Sequence, residues 1–306
     1  MSKTKLSVVI VTYNRCKDLL ECLESLLNLN ETADEIIVVD SNSTDSTREL
    51  AKNYPVKIIN INERSMVKAR NIGFQHAKNE IVAYIDDDVV VNRDWSKYIL
   101  EPYQDKHVGA VVGRVIPYNH GEVAYLPAKH VAIGKVFNNG FILGNFDIPT
   151  PHPIEVDTLI GCNMSFRRDL LLEVNGFDEN FRGSCFRDDA DIGLRLKRLN
   201  YRLIYNPKAI VRHKFKGKTV SYRWFYWTVY NHTYFYIKNF RPLTMRKIIA
   251  YLFATFFPPS DYVKKAGIRI RPTPLAITYA IAGLISALWV HRKGCPSKLE
   301  KFLSIR

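Results

Sequence analysis

Acidic residues almost disappear from the C-terminal part of this 306-residue chain: between Arg195 and Arg306 only Asp261 and Glu300 remain. The same stretch holds 23 Lys and Arg, a formal +21, whereas residues 1–194 carry 21 basic against 28 acidic residues, or −7. So lopsided a distribution points to an anionic partner for the second part, either a membrane surface or a nucleic acid. Cysteine is scarce as well. The five present (Cys16, Cys22, Cys162, Cys185 and Cys295) are odd in number, scattered and without a C-x-x-C pair, which excludes a disulfide framework and fits a reducing compartment. Met1-Ser2-Lys3-Thr4-Lys5 leads straight into a strand-like segment, without the roughly 7–15 apolar residues of a signal peptide, so export is not expected. Apolar runs of spanning length are missing too. Leu275 to Val290 would make only about 24 Å of helix, short of the ~20 residues a span needs. There is no low-complexity tract or repeat, and 47% hydrophobic with 24% charged residues describes a globular chain.

What the chain does have, at its start, is an alternation of apolar strands and amphipathic helices. Leu6–Val11 and Glu35–Asp40 are short, β-branched and bounded by polar turns, and residues 18–29 between them place Leu19, Leu20, Cys22, Leu23, Leu26 and Leu27 at helical spacing. Ser41-Asn42-Ser43-Thr44-Asp45 offers cap chemistry for a helix over 46–53, followed by a strand at 56–60, a helix at 69–77 and a strand from Ile81 to Ile85. This pattern predicts a doubly wound, mostly parallel but mixed α/β sheet, in which ligands bind beyond the carboxyl ends of the strands. Asp40 and Asp86 both fall there. A strand is expected at 108–115, and residues 116–155, rich in Pro, Gly and Asn, read as an irregular lid or binding loop. Periodicity returns at 158–166, then as helices near 168–174 and 189–199, and residues 201–205 close the sheet. The predicted domains are therefore 1–215 and a basic, aromatic, helical region 216–306. In that region 275–290 reads as an interfacial or re-entrant helix, or alternatively as a helix packed on the core.

Asp86-Asp87-Asp88 ends the run Ile81–Ile85. Three adjacent carboxylates at a strand end fit an acidic turn, and they also fit a cation site. Hard oxygen donors suit Mg²⁺ or Mn²⁺, ions that keep one or two protein carboxylates while substrate phosphates complete the shell.

Val8–Arg15, Val38–Asp45, Ala69–Gly73, Asp86–Asp88, Gly161–Arg168, Gly176–Glu179 and Asp188–Leu196, in that order, resemble family 2 glycosyltransferases of the GT-A fold. The resemblance covers roughly residues 5–215. It implies an inverting transfer of one sugar from a nucleoside diphosphate. It also implies that Thr12, Tyr13, Arg15, Asp40, Arg70, Asp86 and Asp87 hold the donor, with Asp40 on the base and Arg70 near the diphosphate. Asp86 and Asp88 are then the ends of a D-x-D motif, and Asp87 points toward the sheet or the sugar. Asp88 and His213 ligate Mn²⁺ or Mg²⁺, Asp189 is the base, and Asp188, Asn163 and Arg195 lie near the acceptor or behind the site. Asp188-Asp189 stands where the family usually has Glu-Asp. Lys216 and Lys218 could neutralise phosphate from a loop. Residues 220–224 are similar to the Q-x-x-R-W motif of processive synthases but carry Val220 in place of Gln, so a single transfer is expected, with Arg223 and Trp224 as interfacial side chains.

With its basic, aromatic end on an anionic leaflet, the protein is expected at the cytoplasmic face of a membrane, using a UDP-sugar and an acceptor such as a polyprenyl-linked glycan or glycolipid. Nucleic-acid binding would use the +21 but leaves the acidic cluster idle, so no nucleic-acid partner is expected. A sugar nucleotidyltransferase would need a glycine-rich basic loop after the first strand, where Thr12-Tyr13-Asn14-Arg15 stands.

Overall fold

The computed structural model describes residues 4–119, 122–123, 132–214, 221–242, 244–256 and 274–293. Lys216, Lys218 and Val220 lie outside them. The chain divides into two units: 1–136, 142–177 and 189–216 form the first, and 137–141, 178–188 and 217–306 the second. One boundary falls at Lys216. The two short segments that join the second unit have no signature in the sequence.

The first unit begins β1 (Leu6–Thr12), α1 (Cys16–Leu27), β2 (Glu35–Asp40), α2 (Thr47–Ala51), β3 (Lys57–Asn60), α3 (Met66–His76) and β4 (Ile81–Asp86). β1, β2 and β4 are buried along nearly their whole length, which is why they read as continuous apolar runs. α1 covers them with Leu19, Cys22, Leu23 and Leu26, spaced three and four apart so that they share one face. Ser65 caps α3, its hydroxyl accepting from Lys68 N at 3.3 Å.

Beyond β4 come β5 (Val89–Val91), α4 (Trp95–Leu100), β6 (Val108–Asn119), β7 (Glu122–Val123), β8 (Lys135–Val136), β9 (Ile142–Leu143) and β10 (Ile154–Val156). β11 (Asn163–Arg167), α5 (Arg168–Glu173), α6 (Asp188–Arg198) and β12 (Arg202–Lys214) complete it. The sheet runs β10-β12-β6-β11-β4-β1-β2-β3, with β5 on β12, β7 on β6 and a separate β8–β9 pair. It is mixed: β4-β1-β2-β3 and β12-β6 are parallel, while β11 is antiparallel to both β4 and β6.

Three expectations need correction. The strand expected over 158–166 starts only at Asn163, because a turn closed by Asn163 N to Ile160 O precedes it. Among their described residues, 116–155 hold the end of β6, the short β7, β8 and β9 and the start of β10, so that part is not one irregular loop. The strand expected at 201–205 runs on to Lys214, through a register break between Asn206 and Ile210. Pro207 has no N–H for a ladder, and Asn206 stabilises the break by donating to Tyr98 O (2.8 Å) and accepting from Lys208 N (3.1 Å).

The second unit contains α7 (Tyr222–Asn239), α8 (Met245–Phe256) and α9 (Pro274–Lys293). Its aromatic residues are largely a core. Every residue of α7 from Val229 to Ile237 is buried, and Tyr226, Tyr230 and Tyr234 stack along the helix. α9 packs on α7 through its small residues: Gly283 lies against Tyr226 O and Tyr230 N, and Ser286 Oγ accepts from Tyr226 OH at 2.9 Å. Only the first turn of α7, with Tyr222 and Arg223, is exposed. No helix among the described residues is long and apolar enough to cross a membrane.

Candidate active site

Register brings the acidic strand ends together. Thr12 stands beside Asp40, and Val11 beside Asp86, so the carboxyl ends of β1, β2 and β4 form one edge. A two-residue turn at Asp87-Asp88 then reverses the chain into β5. Since β5 pairs antiparallel with the far end of β12, His213 sits opposite Val89, and Lys214 N donates to Asp88 O at 3.0 Å. The long β12 therefore delivers His213 to the turn. His213 Nε2 lies 3.0 Å from Asp88 Oδ1, and one ligand atom each from Asp86, Asp88 and His213 falls within a 4.8 Å group.

Thr12 and Arg15 hold the middle of the triplet. Thr12 Oγ1 donates to Asp87 Oδ2 at 2.8 Å, and Arg15 Nη1 pairs with Asp87 Oδ1 at 3.1 Å and with Asp88 Oδ2. Burial pushes the Asp87 carboxyl up to about 7 against the pull of Arg15 and Thr12, with the other two aspartates adding to the rise. Asp88 is held down to about 2: burial alone would raise it, but His213 and Arg15 outweigh that. For His213, burial is overcome by the Asp88 hydrogen bond and the charges of Asp86 and Asp88, which raise it.

These shifts predict how stability responds to pH when metal is removed by a chelator. Asp87 keeps its proton in the folded state between about 4 and 7, so its unfolding releases one, and stability falls as pH rises through that window. His213 adds the same sign, because a raised histidine loses its contribution above neutrality. The melting temperature should drop by about 5–10 °C from pH 5 to pH 8. Asp87→Asn should remove much of that slope; an unchanged slope in the variant would rule Asp87 out as its source.

Around this cluster, Asp40 is 1% exposed, with Oδ1 accepting from Ser43 N at 2.7 Å. Its Oδ2 lies 3.5 Å from Arg48 Nε but makes no hydrogen bond among the described residues. Tyr13 lies under Arg64, whose guanidinium carbon is 4.4 Å from the ring centroid. Arg70 is buried on α3, with Nη2 3.8 Å from Asp86 Oδ1. Asp189, in the first turn of α6, accepts from Gly161 N at 3.1 Å and from Ala190 N at 2.7 Å. Gly161 lets Arg70 come close: a Cβ there would lie 2.5 Å from Arg70 Nη2, so the guanidinium would have to move. The sequence placed Gly161 in a motif without a role, yet it links the surroundings of Asp86 and Asp189.

The predicted residues separate into two groups. Thr12, Arg15, Asp86, Asp87, Asp88 and His213 share one cluster, with Asp40 on the same strand edge and Arg70 reaching Asp86 from α3. Asn163 is turned into the core: it accepts from Trp95 Nε1 (2.9 Å) and donates to Ala209 O and Arg114 O. Arg195 pairs with Asp191 at 2.9 Å and donates to Val174 O, and Asp188 is buried, its N–H donating to Cys185 O at 3.2 Å. A mostly parallel mixed sheet with an acid cluster at the carboxyl ends of its strands is the architecture of a glycosyltransferase of the GT-A fold. The sequence model of Glycosyl transferase family 2 matches residues 7–174, and the chain belongs to that family.

The glucosyl-dolichyl phosphate glucuronosyltransferase of Haloferax volcanii is 28% identical over 234 residues, 72% of each chain. The poly-β-1,6-N-acetyl-D-glucosamine synthase of Staphylococcus epidermidis is 24% identical over 213 residues, 67% of this chain and 48% of that one. This chain therefore spans about half of the synthase. Among solved structures, the mannosyltransferase PcManGT from Pyrobaculum calidifontis, in complex with GDP-Man and Mn²⁺, gives a TM-score of 0.59 at 19% identity, covering 96% and 89% of the two chains. TarS 1–349 of S. aureus in complex with UDP-GlcNAc gives 0.58 at 17%, covering 96% and 93%. At such identity these structures establish the fold.

Proposed function

We propose that this glycosyltransferase inverts the anomeric centre while moving one sugar from a nucleoside diphosphate, with UDP the first choice, to the hydroxyl of a lipid-linked glycan or glycolipid. The observation that carries the reading is the grouping of Asp86, Asp88 and His213, whose two carboxylates and one imidazole suit Mn²⁺ or Mg²⁺. Asp88 and His213 would hold the ion, and when bound it would offset charge building on the departing diphosphate. The chain's own groups have separate tasks. Asp40 Oδ2, buried and without a hydrogen bond among the described residues, accepts from a ring N–H of the base. Arg70 places a fixed positive charge beside Asp86 for the diphosphate. Asp189, oriented by Gly161 N, takes the proton of the acceptor hydroxyl.

The name of one relative supports the acceptor class, a glucosyl-dolichyl phosphate glucuronosyltransferase. Membrane attachment at the cytoplasmic face rests on the +21 of residues 195–306 and on α9, which exposes Ile281, Ile285, Leu288 and Trp289. Co-sedimentation with anionic vesicles, lost at high salt, is the expected result; indifference to vesicles would remove this part. The buried α7 aromatics cannot stack bases, which weakens the nucleic-acid alternative.

The test is a thermal-melt panel with UDP, GDP, dTDP and CDP, each with and without Mn²⁺. A ligand at 100 times its Kd adds about 2.7 kcal/mol of stability. One diphosphate should stabilise in a metal-dependent way; no response to any would sink the donor site.

A further inference from the structure

α7 grips the chain segment that leads into the α6 N-terminus. Asn231, fully buried, accepts from Arg182 N at 3.0 Å and donates back to Arg182 O at 2.7 Å, so one amide satisfies both backbone groups of that residue. Its Nδ2 also lies 3.3 Å from Ser184 Oγ. One and two helical turns further on, Tyr234 OH and Lys238 Nζ both donate to Asp178 Oδ2 (2.9 and 2.7 Å), and Tyr230 OH, from the residue before Asn231, donates to Asn180 O at 3.1 Å. Gly183 lies against the Trp227 ring with φ +60, leaving no room for a side chain. The grip therefore extends along the segment from Asp178 to Ser184.

The gripped segment is strained where it meets α6. Cys185 (φ 52) and Arg187 (φ 80) occupy the left-handed region, which L residues other than glycine adopt only at a steric cost. Such a conformation persists only where surrounding structure over-determines it. The next two residues are Asp188 and Asp189, the first turn of α6. Relaxing the backbone at 185–187 would turn or shift that first turn, and with it the carboxylate of residue 189.

Resting on the reading of Asp189 as base, we propose that Asn231 is a positioning residue: with Tyr230 and Tyr234 it holds the strained segment 178–188, and thereby sets where Asp189 meets the acceptor hydroxyl. This gives the buried polar residues of α7 a part in the reaction without any contact with substrate.

The experiment measures release of nucleoside diphosphate from the donor, whether to acceptor or to water, together with Mn²⁺-dependent stabilisation by that diphosphate. It compares wild type, Asp189→Asn, Asn231→Ala and the double variant, with Tyr230→Phe as a milder loosening that removes one hydroxyl. Displacing a reacting group by about 1 Å costs up to about 100-fold, so Asn231→Ala should lower kcat by about 10- to 100-fold with donor KM and diphosphate stabilisation unchanged. Tyr230→Phe should lower kcat by about fivefold and decides the matter if Asn231→Ala does not fold. In the Asp189→Asn background neither change should lower the residual rate further, since groups acting through one residue are not additive. An equal loss in both backgrounds, a loss of donor affinity, or a wild-type kcat in the loosened variants overturns the proposal. A wild-type rate in Asp189→Asn alone would instead overturn the base assignment on which it rests.

Discussion

Asp189→Asn is expected to lower kcat by about 10³-fold while leaving diphosphate binding and melting behaviour near wild type, because removing a positioned general base forfeits roughly 10²–10⁴ in rate. The substitution is nearly isosteric. The amide oxygen can still accept from Gly161 N, as Asp189 Oδ2 does at 3.1 Å, so α6 keeps its link to the Gly161 turn; what is lost is the proton acceptor and the bond from Ala190 N to Oδ1 (2.7 Å), a donor in the open first turn of the helix. Asp188→Asn is the informative comparison, since two acids, Asp188 and Asp189, stand side by side and spacing alone does not say which one faces the acceptor. Asp188 is 4% exposed, and its N–H is tied to Cys185 O, so its substitution should affect folding more than turnover. Steady-state rates of diphosphate release decide the point. A variant at 189 that turns over normally, or one at 188 that loses more than it, would move the base to Asp188 or elsewhere.

The acidic strand edge was legible because its residues sit at the ends of strands buried along nearly their whole length. β1, β2 and β4 announce themselves as β-branched runs, and the residues that stop them, Thr12, Asp40 and Asp86, are where a doubly wound sheet binds ligands. His213 was harder to place. Its position depends on a 13-residue strand that continues past Pro207 through an irregular register and then pairs with three-residue β5, and neither event has a local signature. The orientation of Asn163 was not legible for the opposite reason: it belongs to a motif, but Trp95, 68 residues earlier, supplies the indole N–H that turns it inward. The α7 aromatics read as interfacial because composition records how apolar a helix is and not what covers it. Here α9 offers Gly283, Ser286 and Ala287 to α7 and turns Ile281, Ile285 and Leu288 outward, so the small residues are buried and the large ones exposed.

Asp88→Ala should abolish the metal-dependent part of diphosphate stabilisation, a loss of about 2.7 kcal/mol for a ligand supplied at 100 times its wild-type Kd. Asp88 is the joint of the cluster. It meets His213 through Oδ1 and Arg15 through Oδ2, so its removal deletes one hard ligand and leaves an imidazole and a guanidinium without their shared carboxylate. Both of those side chains are about one-third exposed, so water can take up part of the loss, and the metal-free protein should be destabilised by only about 1–2 kcal/mol. The two effects are separable by melting each variant alone, with Mn²⁺, with diphosphate and with both. His213→Gln, which removes one candidate ligand and keeps Asp88, should give a smaller loss of the same sign. If the diphosphate stabilised wild type equally well in chelator, or if Asp88→Ala kept the full Mn²⁺ response, the ion would have no place at this strand end. Charge compensation for the departing diphosphate would then have to come from Arg70 and other basic side chains, in a metal-independent transferase.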